Sequence, residues 1–323
     1  MVGDRTLTGG GRRALQGVLA NGTMPDRQRQ ALQLLAQAST AEPERGLLRV
    51  ELDGLIAATP RHQILDGLLF YRAQIALSEA KYRDAEDNAR KLIEQFPTSP
   101  LKAQALGILT ASAWEQFRYR PAANFAQQTR MQLAAGGAGG TAQAQAELRV
   151  LEAEALFRAG AAGGDPNDFR NAAEAYTAAA GDPPANVKPG DLMFMRVLAE
   201  IRAESPEAVK AGESPEAAKV LDALAGRADF DPENRWQAEW SLARAMLVGG
   251  EGRVREAYER VGRLLESDAP AVRPELRARM KWLQVRLALE AGLHEKTVAL
   301  VDALPAALTE VNDAVLQTEI AST

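Results

Sequence analysis

The residues able to do chemistry are sparse and scattered. The 323-residue chain has no cysteine, and its two histidines, His62 and His294, stand far apart. That excludes disulfides, thiolate zinc sites, iron–sulfur clusters and cysteine nucleophiles together. It also excludes histidine-rich metal sites. No serine sits in a G-x-S-x-G turn of the kind that exposes a nucleophile. His62 follows Pro60 and is read as opening a helix, and both histidines read as structural.

Carboxylates are plentiful, but they are spaced like solvated helix faces. Glu86-Asp87, Glu152 with Glu154, and Glu256 with Glu259 lie among arginines at helical spacing, where ion pairs form on a surface. A two-carboxylate hydrolase needs its pair held across a cleft, and the sequence brings no such pair together. Gly136-Gly137-Ala138-Gly139-Gly140-Thr141 precedes a helix as a phosphate cradle would, yet lacks the lysine and the strand of one. It reads as a linker, and Gly9-Gly10-Gly11 reads as an N-terminal tail. Gly163 to Asp168 reads as a turn leading into a helix cap rather than a calcium loop. Arg118, Arg120 and Arg130 with Tyr119 form too short a basic cluster for nucleic acid. Lys+Arg is 38 against Asp+Glu 43, a net charge of −5, which gives no basic face for DNA or RNA. Leu192-Met193-Phe194-Met195 reads as helix core.

The elements around these residues are helical. Hydrophobic residues make up 46% and charged residues 25%, the balance of a globular chain. Apolar residues recur at three- and four-residue spacing almost throughout, and strand-like alternation is missing. Tyr82, Ala85, Ala89, Leu92 and Ile93 predict a helix over 82–95, stopped at Phe96-Pro97 because proline cannot continue the ladder. Ser99-Pro100 predicts the next helix start, with serine as cap. The same signal recurs at Met24-Pro25, Ser205-Pro206, Ser214-Pro215 and Asp231-Pro232. At the far end, separate helices are expected over 294–303 and 306–320. The last of these, with Val311, Val315, Leu316 and Ile320 on its apolar side, is expected to cap the protein.

A repeat runs through the pattern. Ala80-Lys81-Tyr82-Arg83-Asp84-Ala85 aligns with Phe117-Arg118-Tyr119-Arg120-Pro121-Ala122. Phe169 with Ala172, and Val254 with Ala257, keep the spacing, and His294 to Thr297 is a weaker copy. Leu69 to Pro97, with Ala73, Ala80, Tyr82, Ala85, Ala89, Leu92 and the closing Pro97, resembles the tetratricopeptide repeat, although the signature Trp and Gly of the first helix are missing. Gln95-Phe96-Pro97-Thr98-Ser99-Pro100 is similar in style to repeats of bacterial envelope proteins, the outer-membrane assembly lipoproteins and the cell-division coordinator.

The resemblance implies an all-α fold, a right-handed α-solenoid of helix–turn–helix repeats. Its expected divisions are N-terminal helices over 1–60, repeats over 61–185 with the linker at 136–141, and further helix pairs over 186–323. It implies a non-catalytic scaffold that binds a protein or peptide segment in a concave groove, with no cofactor, no nucleic acid and no membrane span. The groove residues carried over by register are Phe70, Gln74, Trp114, Glu115, Met246, Trp282 and Arg286. Two other readings stand beside it, a self-assembling structural module and an enzyme on a helical scaffold. The polar, Gly-rich start lacks the apolar run of a signal peptide, so the chain as written is expected in the cytoplasm. A trimmed or displaced start would move that expectation to the periplasm.

Overall fold

A computed structural model describes residues 9–135, 141–204, 216–248, 250–267, 272–309 and 311. Among them there are fifteen helices and no strand. They are α1 (Gly9–Asn21), α2 (Pro25–Gln37), α3 (Glu44–Ala57), α4 (Leu65–Ser78), α5 (Tyr82–Gln95), α6 (Lys102–Glu115), α7 (Tyr119–Ala135) and α8 (Ala142–Gly163). Then follow α9 (Pro166–Gly181), α10 (Pro189–Ala203), α11 (Glu216–Leu224), α12 (Pro232–Met246), α13 (Glu251–Glu266), α14 (Pro274–Glu290) and α15 (His294–Leu308). The chain divides into two compact units, Met1–Thr141 and Ala142–Thr323.

In the first unit each helix from α1 to α7 packs on the next, and the alternate helices α2, α4 and α6 also touch one another. These three form one layer, with α3 and α5 each wedged against two of its members and α7 against the last. The sequence explains the roles. α5 buries Ala85, Glu86, Ala89 and Leu92 on one stripe and turns its other charged residues to water. α4 buries Leu65 through Phe70, Ala73, Ile75 and Ala76, so it is enclosed on nearly every side. Ala73, Ala85, Ala105 and Ala122 are completely buried, and their small side chains let helix axes approach closely. Leu19, Leu32, Leu48, Leu68 and Leu92 fill the space between, each worth about 1.5–3 kcal/mol on burial.

In the second unit α8, α9 and α10 pack in succession. The alternate helices α10, α12 and α14 touch, with α11 between α10 and α12 and α13 between α12 and α14. Tyr176 and Trp236 are its largest fully buried side chains.

Three helix pairs turn in the same way. Ala80, Phe117 and Gly292 take φ of 56°, 57° and 70°, the left-handed region. After each, an amide reaches back five residues: Lys81 N–H to Ala76 O, Arg118 N–H to Ala113 O, and Leu293 N–H to Ala288 O, all at 2.9 Å. The left-handed residue itself donates to Leu77 O, Trp114 O and Leu289 O respectively. This is the Schellman cap, which satisfies carbonyls that a helix end would leave open. The aromatic-to-Ala spacing of the sequence repeat marks the residues just after this turn.

Helix starts follow the expected chemistry at several places. The Asp165 carboxylate accepts from Asn167 N–H at 3.0 Å, and the Asp231 carboxylate accepts from Glu233 N–H at 2.8 Å, each before a proline in the first turn. The Ser99 hydroxyl accepts from Leu101 N–H, and α6 starts only at Lys102. Met24 precedes Pro25 without a side-chain cap.

Several expectations are corrected. Gly9–Gly11 are the first turn of α1 rather than a tail. Arg12 reaches from that turn to the Ser39 hydroxyl and the Glu44 carbonyl, and the first helical amides need no helical partner in any case. The turn expected from Gly163 begins one residue later, because α8 runs on through Gly163, and Gly160 within it lets the Phe169 ring lie against its backbone. His62 precedes α4 rather than opening it. At the far end one helix, α15, runs through Pro305 to Leu308. The missing proline N–H would bond one turn back, to Val301, which is an exposed residue. Val311 is buried against Ala278, Trp282, Leu304 and Leu308. The expected caps at Ser205 and Ser214, the linker glycines 136–140, and Val315, Leu316 and Ile320 lie outside the described residues.

Candidate functional site

In the first unit α2, α3 and α4 enclose an open cleft of about 440 Å³. The volume falls in the range of small-ligand sites. α2 supplies Gln33 and Gln37, α4 supplies Tyr71, Gln74 and Ser78, and the turn and start of α3 supply Ser39, Thr40 and Arg45. Ala36, Leu48 and Ile75 are its apolar lining. The helix period produces this arrangement. Gln33 and Gln37 are one turn apart on α2, as Gln74 and Ser78 are on α4, so each pair projects to one side. Among the described residues the carboxamides of Gln33, Gln37 and Gln74 make no hydrogen bond, and all three residues are exposed. Tyr71 is half-buried with its ring edge-on to Phe70 at 5.1 Å, and burial pushes its hydroxyl pKa up.

The charges beside the cleft are paired with one another. Arg49 of α3 lies 2.6 Å from Glu79, and Lys81 lies 2.7 Å from the other Glu79 oxygen. Arg45 bonds Glu42 at 3.2 Å and stands 3.8 Å from Glu79. The Lys81 hydrogen bond foremost, with Arg49, holds the Glu79 carboxyl below the usual range against the effect of burial. At the opposite end of α4, the buried Asp66 accepts from Ser99 Oγ at 2.8 Å and pairs with Arg29 of α2 at 3.0 Å. Burial pushes the Asp66 carboxyl up, and the Ser99 and Arg29 contacts more than reverse that, leaving it below its ordinary value. Glu86 is likewise a buried carboxylate rather than part of a solvated face. It bonds Arg118 and Gln116 at the next turn, with Arg90 at 3.5 Å.

The carried-over groove residues fall in different places. Gln74 lines the cleft. Phe70 is 8% exposed and Met246 1% exposed, both inside the hydrophobic cores of their units. Trp114 is half-buried with its ring edge-on to Tyr119 at 5.4 Å, and the neighbouring Glu115 is exposed. Trp282 packs against the buried pair Ala278 and Val311, and the exposed Arg286 guanidinium lies 5.4 Å from its ring centre. Gln74, Trp114 and Glu115 therefore sit on alternate-layer helices of the first unit, and Trp282 and Arg286 on one of the second. Gln33, Gln37, Tyr71, Arg45 and Ser78 were not singled out in the sequence. The one signal for them was glutamine repeated at helical spacing along α2.

The second unit holds a charge cluster in which Arg260 and Glu239 are buried and Asp222 is exposed. Arg260 of α13 grips Glu239 of α12 at 2.8 and 3.0 Å, and Asp222 of α11 at 2.8 and 3.1 Å. Burial works against the Arg260 charge, and the two carboxylates more than restore it. On α10 and at the residue that follows it, burial pushes the Glu200 and Glu204 carboxyls up. Glu154 accepts from the Tyr176 hydroxyl at 2.8 Å, and burial, with that carboxylate, raises the tyrosine pKa. His62 bridges Leu19 O at 3.0 Å and Ile64 N–H at 3.3 Å, joining the end of α1 to the approach to α4. Among the described residues no group of three or more His, Cys, Asp or Glu is placed to hold a metal ion. Among them, too, no helix is long and apolar enough to cross a membrane. In comparisons with known proteins, the chain matches no family model and no curated sequence.

Proposed function

We propose that this chain is a tetratricopeptide-like repeat protein, with each unit built as a short right-handed α-solenoid, and that it works as a non-catalytic scaffold for a protein partner. The observation that carries the reading is the layering. α2, α4 and α6 stack as alternate helices while α3, α5 and α7 fill between, and the Schellman turns recur between paired helices. Stacked pairs of this kind bury one continuous core and leave the faces of alternate helices to form a shared surface. Gln74, Trp114 and Glu115 are the contributors of the first unit, and Trp282 with Arg286 those of the second. Tryptophan and arginine are the residue types enriched in binding hot spots. The likeness of Gln95 to Pro100 to envelope repeats makes envelope assembly the process proposed for the partner.

Site-specific photo-crosslinking in cells tests this. A photoreactive residue at Gln74 or Glu115, on the alternate layer, is expected to capture a discrete partner. One at Lys91, exposed on α5, is expected to capture none. Adducts confined to position 91, or none at any position, would overturn the groove reading. An adduct whose mass is twice that of the chain would favour self-assembly instead.

A further inference from the structure

α15 breaks the pattern of the helices before it. Aligned on the repeat positions Tyr82, Phe169, Val254 and His294, Val301 stands where α5, α9 and α13 have Ala89, Tyr176 and Val261. Those three are 0%, 1% and 0% exposed, each on a helix with a further one packed on it, whereas Val301 is 48% and Val298 62% exposed. The water-facing side differs as well. Asp87 and Glu94 of α5, and Glu259 and Glu266 of α13, are exposed at the positions that α15 fills with Ala299 and Ala306. From Thr297 to Leu308 the one charged residue is Asp302, yet α15 buries none of its residues. A helix so apolar on all sides is ordinarily enclosed.

Shape and charge narrow what encloses it. The main chain of α15 is bonded along the helix and presents no edge to an extended segment, while side chains three and four apart form ridges that another helix can straddle. Glu295 and Asp302 stand on the outward side, seven residues or about 10.5 Å apart along the axis. Both are exposed, and neither makes an ion pair among the described residues. Lys296, the one lysine of α15, has its ammonium 5.5 Å from the centre of the Tyr258 ring on α13. From Thr297 to Thr323 the sequence has no lysine, arginine or histidine, and Glu310, Asp313 and Glu319 add further acid. Neither the residues after α15 nor a second α15 can therefore answer the two carboxylates. We infer that the outward side of α15 docks an amphipathic helix of another protein. Its apolar stripe seats on Val298, Ala299 and Ala306, and lysines or arginines seven residues apart meet Glu295 and Asp302. None of these is a groove residue, so the inference stands apart from the groove reading.

The test titrates two lactam-bridged, three-heptad helices onto the full chain by fluorescence anisotropy. Both carry leucine and alanine along one stripe; one has lysine at every seventh position and the other glutamate. The lysine helix is expected to bind wild type and to weaken at least tenfold on Glu295→Lys/Asp302→Lys, and the glutamate helix to prefer that variant by a similar factor. Ala299→Gln/Ala306→Gln adds bulk without charge and is expected to weaken the lysine helix at least tenfold, with circular dichroism unchanged. All four substitutions fall on exposed positions, so folding is not at stake. No binding to wild type, or binding indifferent to either double substitution, would overturn the assignment. The chain alone is expected to sediment with the mass of one copy. A dimer dissolved by Ala299→Gln/Ala306→Gln would overturn the choice of occupant in favour of a second copy. A photoreactive residue at position 299 that joins to residues 310–323 of the same chain would overturn it in favour of the chain's own segment.

Discussion

The left-handed turns allow a prediction with opposite signs at equivalent positions. Ala80 and Phe117 hold a conformation that costs an L-residue about 1–2 kcal/mol, and Gly292 holds it freely. Replacing Ala80 by glycine relieves that strain but adds freedom to the unfolded chain, worth about 0.4–1 kcal/mol the other way. Ala80→Gly should therefore stabilise by about 0.5–1 kcal/mol. Phe117 is 76% exposed, so its removal forfeits little burial, but it loses the edge contact with Tyr119 at 6.2 Å. That contact is worth about 0.5 kcal/mol, which leaves Phe117→Gly nearer zero but still on the stabilising side. Gly292→Ala introduces the strain and removes unfolded-state freedom, and should destabilise by about 0.5–1 kcal/mol. Urea denaturation followed by far-ultraviolet circular dichroism reads all three. Positions 80 and 117 lie in the first compact unit and 292 in the second, so the first two changes are expected in one transition and the third in the other if the units unfold separately. A lower midpoint for Ala80→Gly, or an unchanged one for Gly292→Ala, would refute the account of these turns.

Other outcomes follow from buried charge and close packing. Asp66→Asn should destabilise the first unit by about 2 kcal/mol at neutral pH, because Arg29 and Ser99 lose a charged acceptor. The Asp66 pKa is lowered by folding, so its contribution is present above the ordinary value of 3.8 and lost as pH falls through the folded value; the gap between variant and wild type should close in acid melts. Glu200 behaves in the opposite sense: burial, with Glu216 and Glu174, raises its pKa against Arg196 and Arg170. Its stabilising effect is complete below 4.5 and declines as pH rises through the folded value, so Glu200→Gln should raise the denaturation midpoint at pH 7 and leave it unchanged near pH 4. Gly190→Ala would put a Cβ 2.0 Å from the Asp229 carbonyl oxygen and should cost about 2 kcal/mol or more in thermal unfolding of the second unit.

Local chemistry was the part most legible in the sequence. Tyr82–Gln95 emerges with the expected bounds because its apolar stripe is narrow and Phe96-Pro97 ends it sharply. Asp165 and Asp231 act as caps because carboxylate, proline and helix start lie within three residues of one another. Facing relations were harder to read. α4 is apolar around almost its whole circumference, so its period does not say which side meets water, and Phe70 was assigned outward when it is core. Met246 on α12 is likewise core rather than groove. Glu86 looked like any surface carboxylate because Arg118, its partner, is contributed by a turn 32 residues away. The cleft was missed because α2, α3 and α4 each supply only a few neutral side chains to it. No one segment carries a recognisable motif.

The two tethered ends of α4 have a consequence beyond stability. Hydrophobic attraction has no direction, so a helix sheathed in apolar side chains could shift along its own axis by one turn, about 5.4 Å, and still stay buried. Asp66 and Glu79 stand at opposite ends of α4, each held by cations from other helices, Arg29 on one side and Arg45 with Arg49 on the other. Hydrogen bonds are directional and short, so a one-turn slip would break both sets at once. The carboxylates therefore act as end stops on a sliding rod. They fix where Gln74 comes to rest opposite Gln33 and Gln37, so the width of the cleft is set from the two ends of α4.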